Sequence, residues 1–157
     1  MNKRIELRRS DKMLRKLFVV DIENAVGAGT ISEDSCRNVR DRIEKTYHPG
    51  SSDLTVIGVS HKNNLFPAHA WDGARVVLKE GHDGADLALE NVLSTENVEA
   101  RFGEVVIVSG DNLFSAQARR LKSLGVRVTV DARARQLARV LAFSCLSVRF
   151  APDALAA

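Results

Sequence analysis

Leu17-Phe18-Val19-Val20-Asp21 is a run of four apolar residues closed by an aspartate, and it sets the fold class. An unbroken apolar run of this length suits a strand buried on both faces, as in a parallel sheet, rather than a half-exposed strand that alternates. Near-continuous apolar, β-branched runs recur at residues 54–59 (LTVIGV), 74–78 (ARVVL), 105–108 (VVIV) and 126–130 (VRVTV). Helix-like segments separate these runs. Thr30-Ile31-Ser32-Glu33 reads as a capping box opening a helix to Tyr47, stopped by Pro49-Gly50. Residues 85–98 carry Leu87, Leu89 or Glu90, and Leu93 at helical spacing. Residues 113–124 place Phe114, Ala118, Leu121 and Leu124 on one stripe and end at Gly125. A last helix is expected over 134–143 and an edge strand over 145–150, while 61–71, interrupted by Pro67, reads as a short helix or a loop. Strand and helix alternate, so the expected class is α/β: a three-layer α/β/α sandwich on a mostly parallel sheet.

The chain has 157 residues, 45% hydrophobic and 27% charged, which suits one folded domain rather than a disordered chain. Repeats, low-complexity tracts and linkers are lacking. The expected division is a basic arm or helix over 1–15, one domain over 16–150 and a tail over 151–157. Two cysteines, Cys36 and Cys145, exclude a disulfide framework and point to a reducing compartment. No apolar run approaches the roughly 20 residues of a membrane span, and the basic N-terminus lacks the apolar core of a secretory signal. A cytoplasmic protein is expected.

The net charge of +3 hides an uneven distribution. Residues 1–16 hold seven Lys/Arg against two acids. Residues 17–116 hold eight against sixteen, and residues 117–149 eight against one. Basic blocks around an acidic middle fit a protein that meets polyanions with Lys/Arg and holds a divalent cation between carboxylates; solvated helix faces would give the same counts.

In open α/β sheets, ligands bind outside the carboxyl ends of the strands, where strand order reverses. Asp21 ends the first strand, Asp111 follows the fourth in Ser109-Gly110-Asp111-Asn112, and Asp86 opens the helix after the third. These three carboxylates are expected on one edge of the sheet, where a divalent cation would relieve their repulsion. Asp86 and Asp111 have ordinary alternatives as a first-turn acid and a helix cap. Asp21 has no expected helix directly after it, and so no comparable structural role.

Val19-Val20-Asp21-Ile22-Glu23-Asn24, Gly84-Ala85-Asp86-Leu87, Val106-Ile107-Val108-Ser109-Gly110-Asp111 and Leu121-Lys122-Ser123-Leu124-Gly125-Val126-Arg127-Val128 resemble, in order and spacing, the motifs of NYN domains, a branch of the PIN-like nucleases. The similarity covers about residues 16–130. It implies a PIN-like sandwich and Mg²⁺- or Mn²⁺-dependent hydrolysis of RNA, with metal on Asp21, Asp86 and Asp111. Asn24 would hold the first loop or the scissile phosphate. The chain departs from the family at Leu113, where the motif S-G-D-x-D-F has a second acid, and at Ala142-Phe143, where an A-D pair is common. Glu23, Asp83 and Glu90 are the acids placed to compensate.

The expected partner is RNA, with DNA as the other polynucleotide, gripped electrostatically by Arg119, Arg120, Lys122, Arg133, Arg135, Arg139 and the N-terminal basic run. Tyr47 and Trp71 are too few for a base-stacking platform. Lys79 and His82 lie in the loop before Asp86, within reach of a substrate or as plain surface. A homo-oligomer is compatible with the sequence. Two other readings stay open: a PIN-like module that holds nucleic acid or a protein without cutting, and a phosphatase built on Asp21-Ile22-Glu23. The four histidines make no zinc spacing with either cysteine.

Overall fold

A computed structural model describes residues 15–145 and 147–152; most of the expected arm and tail lie outside the described residues. Strand β1 (Lys16–Asp21) leads into a short helix α1 (Ile22–Val26) and then α2 (Glu33–Tyr47). Strand β2 (Leu54–Val59) is followed by α3 (Leu65–Ala68), and β3 (Arg75–Leu78) by α4 (Gly84–Thr95) and α5 (Val98–Arg101). Strand β4 (Glu104–Val108) precedes α6 (Ser115–Ser123), β5 (Arg127–Ala132) precedes α7 (Arg139–Ser144), and β6 (Ser147–Phe150) closes the described chain.

All six strands are parallel, in the order β3-β2-β1-β4-β5-β6. Side chains alternate across each central strand. Phe18, Val20, Ile57 and Val106 pack beneath Cys36, Val39 and Ile43 of α2. Leu17, Val19, Val105 and Ile107 pack beneath Leu89 and Leu93 of α4 and Phe114 and Leu121. The protein is thus a three-layer α/β/α sandwich, and its apolar strand runs follow from burial on both faces. The chain builds outward from β1 to β3, then returns to lay β4 on the other side of β1. That reversal opens a crevice at the carboxyl ends of β1 and β4.

Four local expectations are corrected. Helix α2 begins after Ser32, not Thr30: Ser32 and Ser35 form the reciprocal cap, each side chain accepting from the other's backbone N–H. Ile31 is drawn into the core instead, its N–H held by Asn64 Oδ1 at 3.1 Å. Ser32→Ala is expected to lower stability by about 1 kcal/mol in urea denaturation. Leu124 lies past the end of α6 and is exposed, leaving Phe114, Ala118 and Leu121 as the buried stripe. The single helix expected over 134–143 is a 3-10 turn (Ala134–Gln136), an extended link and then α7. The Ala138 N–H bonds to the Gly110 carbonyl at 2.9 Å, a contact that pulls this segment out of helical register. Both cysteines are free and buried, with Cys145 just before β6 rather than within it. Among the described residues no helix is long and apolar enough to cross a membrane.

Candidate metal centre

The crevice between β1 and β4 is where the acids gather. Asp21 is the last residue of β1, paired in register with Gly58 of β2. A helix does start directly after it, contrary to the sequence reading, and Asp21 is its cap: Oδ1 accepts from the Asn24 N–H at 3.1 Å. The Asn24 side chain in turn accepts from the Gly110 N–H at 3.3 Å, tying the loop after β1 to the loop after β4. Asp111 caps the 3-10 turn Asn112–Phe114, its Oδ1 accepting from the Leu113 N–H at 2.8 Å.

Helix α4 brings two more carboxylates. Gly58 lets it pack closely on β2, since a Cβ there would lie 2.7 Å from the Leu89 side chain. Gly84 lets the helix begin against the Lys79 carbonyl, which any side chain would strike. Asp86 then falls in the first turn, 5% exposed, beside Asp21. Asp83, just before the helix, takes the left-handed conformation at φ 56° and makes no cap bond of its own. Its carboxylate pairs with His82 Nδ1 at 2.9 Å.

One carboxylate oxygen each from Asp83, Asp86 and Asp111 lies within 4.8 Å of the other two, so these three can hold a metal ion. This set differs from the expected one. Asp83 joins it, and Asp21 lies beside Asp86, close enough to share a proton. Asp86 Oδ1 is buried and has no hydrogen-bond partner. A buried polar atom without a partner is costly and rare in folded proteins. No Lys or Arg pairs with Asp21, Asp86 or Asp111 among the described residues.

These surroundings push both inner acids up. Burial raises Asp86 most, followed by the hydrogen bond and charge of Asp21, with Asp111 and Asp83 adding to it, to about 9. Burial also raises Asp21, against the opposing hydrogen bonds from Asp86 and Asn24. An acid raised in the folded state supports folding fully below its unfolded value near 4, and that support is lost as pH rises toward 9. Asp86→Asn is therefore expected to stabilise the metal-free protein at pH 8 by about 1–2 kcal/mol. The gain should vanish near pH 4. Thermal unfolding at both pH values checks this, and a destabilised variant at pH 8 would contradict it.

The other two candidate acids have different work. Glu23 accepts from the Ser60 N–H and hydroxyl and, at 2.6 Å, from Asn64 Nδ2, locking α1 to the loop after β2. Glu90 accepts from Gln117 Nε2 at 2.9 Å. Only Asp83 joins the cluster.

The expected nucleic-acid residues are dispersed. Arg120 is held by the Leu93 carbonyl at 2.7 Å, Gln117 at 2.8 Å and Glu99 at 3.3 Å. Arg119 donates to Ser144 Oγ at 3.1 Å. Lys122 sits in the last turn of α6, toward the edge where the strands begin. Arg139 opens α7 and is exposed. Arg133 is at the carboxyl edge, but its guanidinium donates to the Asn24 and Ala25 carbonyls at 2.8 and 2.9 Å. Arg135, in the 3-10 turn after β5, is at that edge and exposed.

No family profile and no curated protein matches the chain. Among solved structures, a protein of unknown function from Vibrio parahaemolyticus is similar, with a TM-score of 0.62 over 92% of this chain and 96% of its own, at 18% identity. At that identity the likeness concerns the fold.

Proposed function

We propose that this protein is a PIN-like, Mg²⁺- or Mn²⁺-dependent nuclease that cleaves RNA by hydrolysis, with Asp83, Asp86 and Asp111 holding the ion. The observation that carries this reading is the buried, unpartnered oxygen of Asp86 among acids that no described Lys or Arg pairs with. Hard divalent cations take such carboxylate oxygens and keep water and phosphate oxygens as their other ligands. Bound there, the ion would lower the pKa of a water and offset charge on a phosphodiester. Asp21 accepts a hydrogen bond from protonated Asp86 and so orients that side chain. Asn24 keeps the Asp111 loop in place through Gly110.

Leu113 favours a second reading, a fold that holds nucleic acid without cutting it. Incubating the protein with a mixture of structured and single-stranded RNA in Mn²⁺, Mg²⁺ or chelator separates the two. Cleavage that chelator stops is the expected result. Cleavage undiminished by chelator would overturn the metal-dependent reading, and salt-sensitive binding without cleavage would establish the second one.

A further inference from the structure

The carboxyl edge carries unpaired cations as well as acids. Lys62 follows β2 and Lys79 follows β3; both are exposed, and neither forms an ion pair with a described residue. Lys79 borders the acid cluster directly, because Gly84, next to Asp83, packs on its carbonyl. At the edge where the strands begin, Arg75, Arg101 and Arg127 are instead paired with Glu96 and Glu104.

The segment after β2 adds a second, independent feature. A 3-10 turn over Lys62–Asn64 runs straight into α3, so Lys62, Phe66 and His69 recur at near-helical spacing. All three are exposed, and Phe66 is 75% exposed. Its neighbours Asn64 and Leu65 are turned inward: Asn64 is buried on Glu23 and the Gly29 carbonyl, and Leu65 packs on the core. The outward face is therefore fixed by what its other face holds. A cation beside an exposed aromatic ring matches the chemistry of a nucleotide, with phosphate on the charge and base on the ring. Only an unpaired base offers its face for stacking.

We infer that the β2–β3 side of the carboxyl edge is a track for single-stranded polynucleotide, with Lys62 and Lys79 on backbone phosphates and Phe66 stacking an unpaired base. This rests on the nuclease reading of the adjacent acids and names what grips the strand beside them. It replaces the long-range grip expected of α6, whose arginines are engaged within the fold.

The test is fluorescence anisotropy with a labelled 12-nucleotide oligouridylate in chelator, across a salt series, with Mn²⁺-induced thermal shifts measured in parallel. The Lys62→Ala/Lys79→Ala variant should bind at least about tenfold more weakly, with a salt slope shallower by about 1.4 for two lost phosphate contacts. Phe66→Ala should lose about tenfold on the single strand and nothing on a duplex, and Phe66→Trp should restore it. Lys122→Ala should bind as the parent does. Equal binding by parent and lysine variant, equal loss on strand and duplex for Phe66→Ala, or no binding by the parent at low salt would each overturn the track. The Mn²⁺ shift distinguishes the two failures. If it persists while the track fails, the metal centre stands; if it is absent while the variants behave as expected, the track stands without the nuclease.

Discussion

Asp111→Asn is expected to lower metal-dependent cleavage by about a thousandfold, equivalent to roughly 4 kcal/mol of transition-state stabilisation. The amide oxygen can still accept the Leu113 N–H, so the 3-10 turn keeps its cap and the fold is preserved. What is lost is one of the three carboxyl groups whose oxygens meet within 4.8 Å. Asp83→Asn should be comparably severe, because that carboxylate is a member of the same set. Asp21→Asn should be milder, about 10–100-fold, as is usual when a group orients a ligand without being one. The order is the informative quantity. Steady-state rates at saturating Mn²⁺ with Asp21→Asn worse than Asp83→Asn would restore Asp21 to the ligand set and remove Asp83 from it.

The presence of Asp83 beside Asp86 and Asp111 shows where sequence reasoning reaches and where it stops. The strands are legible because a doubly buried strand must be apolar throughout, and LFVV, VIGV and VVIV have no polar residue to face water. The alternation with helices then fixes the class, and the switch point follows from topology. The edge on which Asp21, Asp86 and Asp111 assemble is legible for the same reason. Their mutual geometry is not. Asp83 reaches the cluster through a left-handed backbone and a helix start pressed onto the Lys79 carbonyl, and both depend on Gly84 packing rather than on any residue pattern. Asp21 is engaged as the cap of a short helix whose existence depends partly on Arg133, more than 100 positions away, bonding its last carbonyls. The segment after β5 is misread for a related reason. Gly110 has no side chain, so the Gln136 carbonyl can lie against it and Ala138 can bond to it, and this tertiary contact overrides local helix preference.

Asp131→Ala is expected to destabilise the protein by about 3–5 kcal/mol, read as a shift of the urea midpoint at unchanged slope. Asp131 lies near the carboxyl end of β5, one strand from β4, and is 2% exposed, so by position alone it resembles the site acids. Its partners make it different. Arg42 of α2 reaches it with two nitrogens, at 2.8 and 3.0 Å, and the Tyr47 hydroxyl donates to it at 2.8 Å. Burial and the neighbouring carboxylate push the Tyr47 hydroxyl up, so it stays a donor across the working range. Truncating Asp131 strands a partly buried guanidinium and a hydroxyl, and the uncompensated charge dominates the loss. Replacing both members of the pair, as in Asp131→Leu with Arg42→Met, should recover most of it. The contrast with Asp86 then separates two kinds of buried acid. One has its positive partner built into the fold, and neutralising it removes stability. The other lacks a basic partner, and neutralising it should add stability while removing the response to a divalent cation. Opposite signs for Asp131→Asn and Asp86→Asn at pH 8 in chelator would mark Asp86 as an acid kept for a ligand. A loss in both would mean that the Asp21–Asp86 pair, too, serves only to hold the fold together.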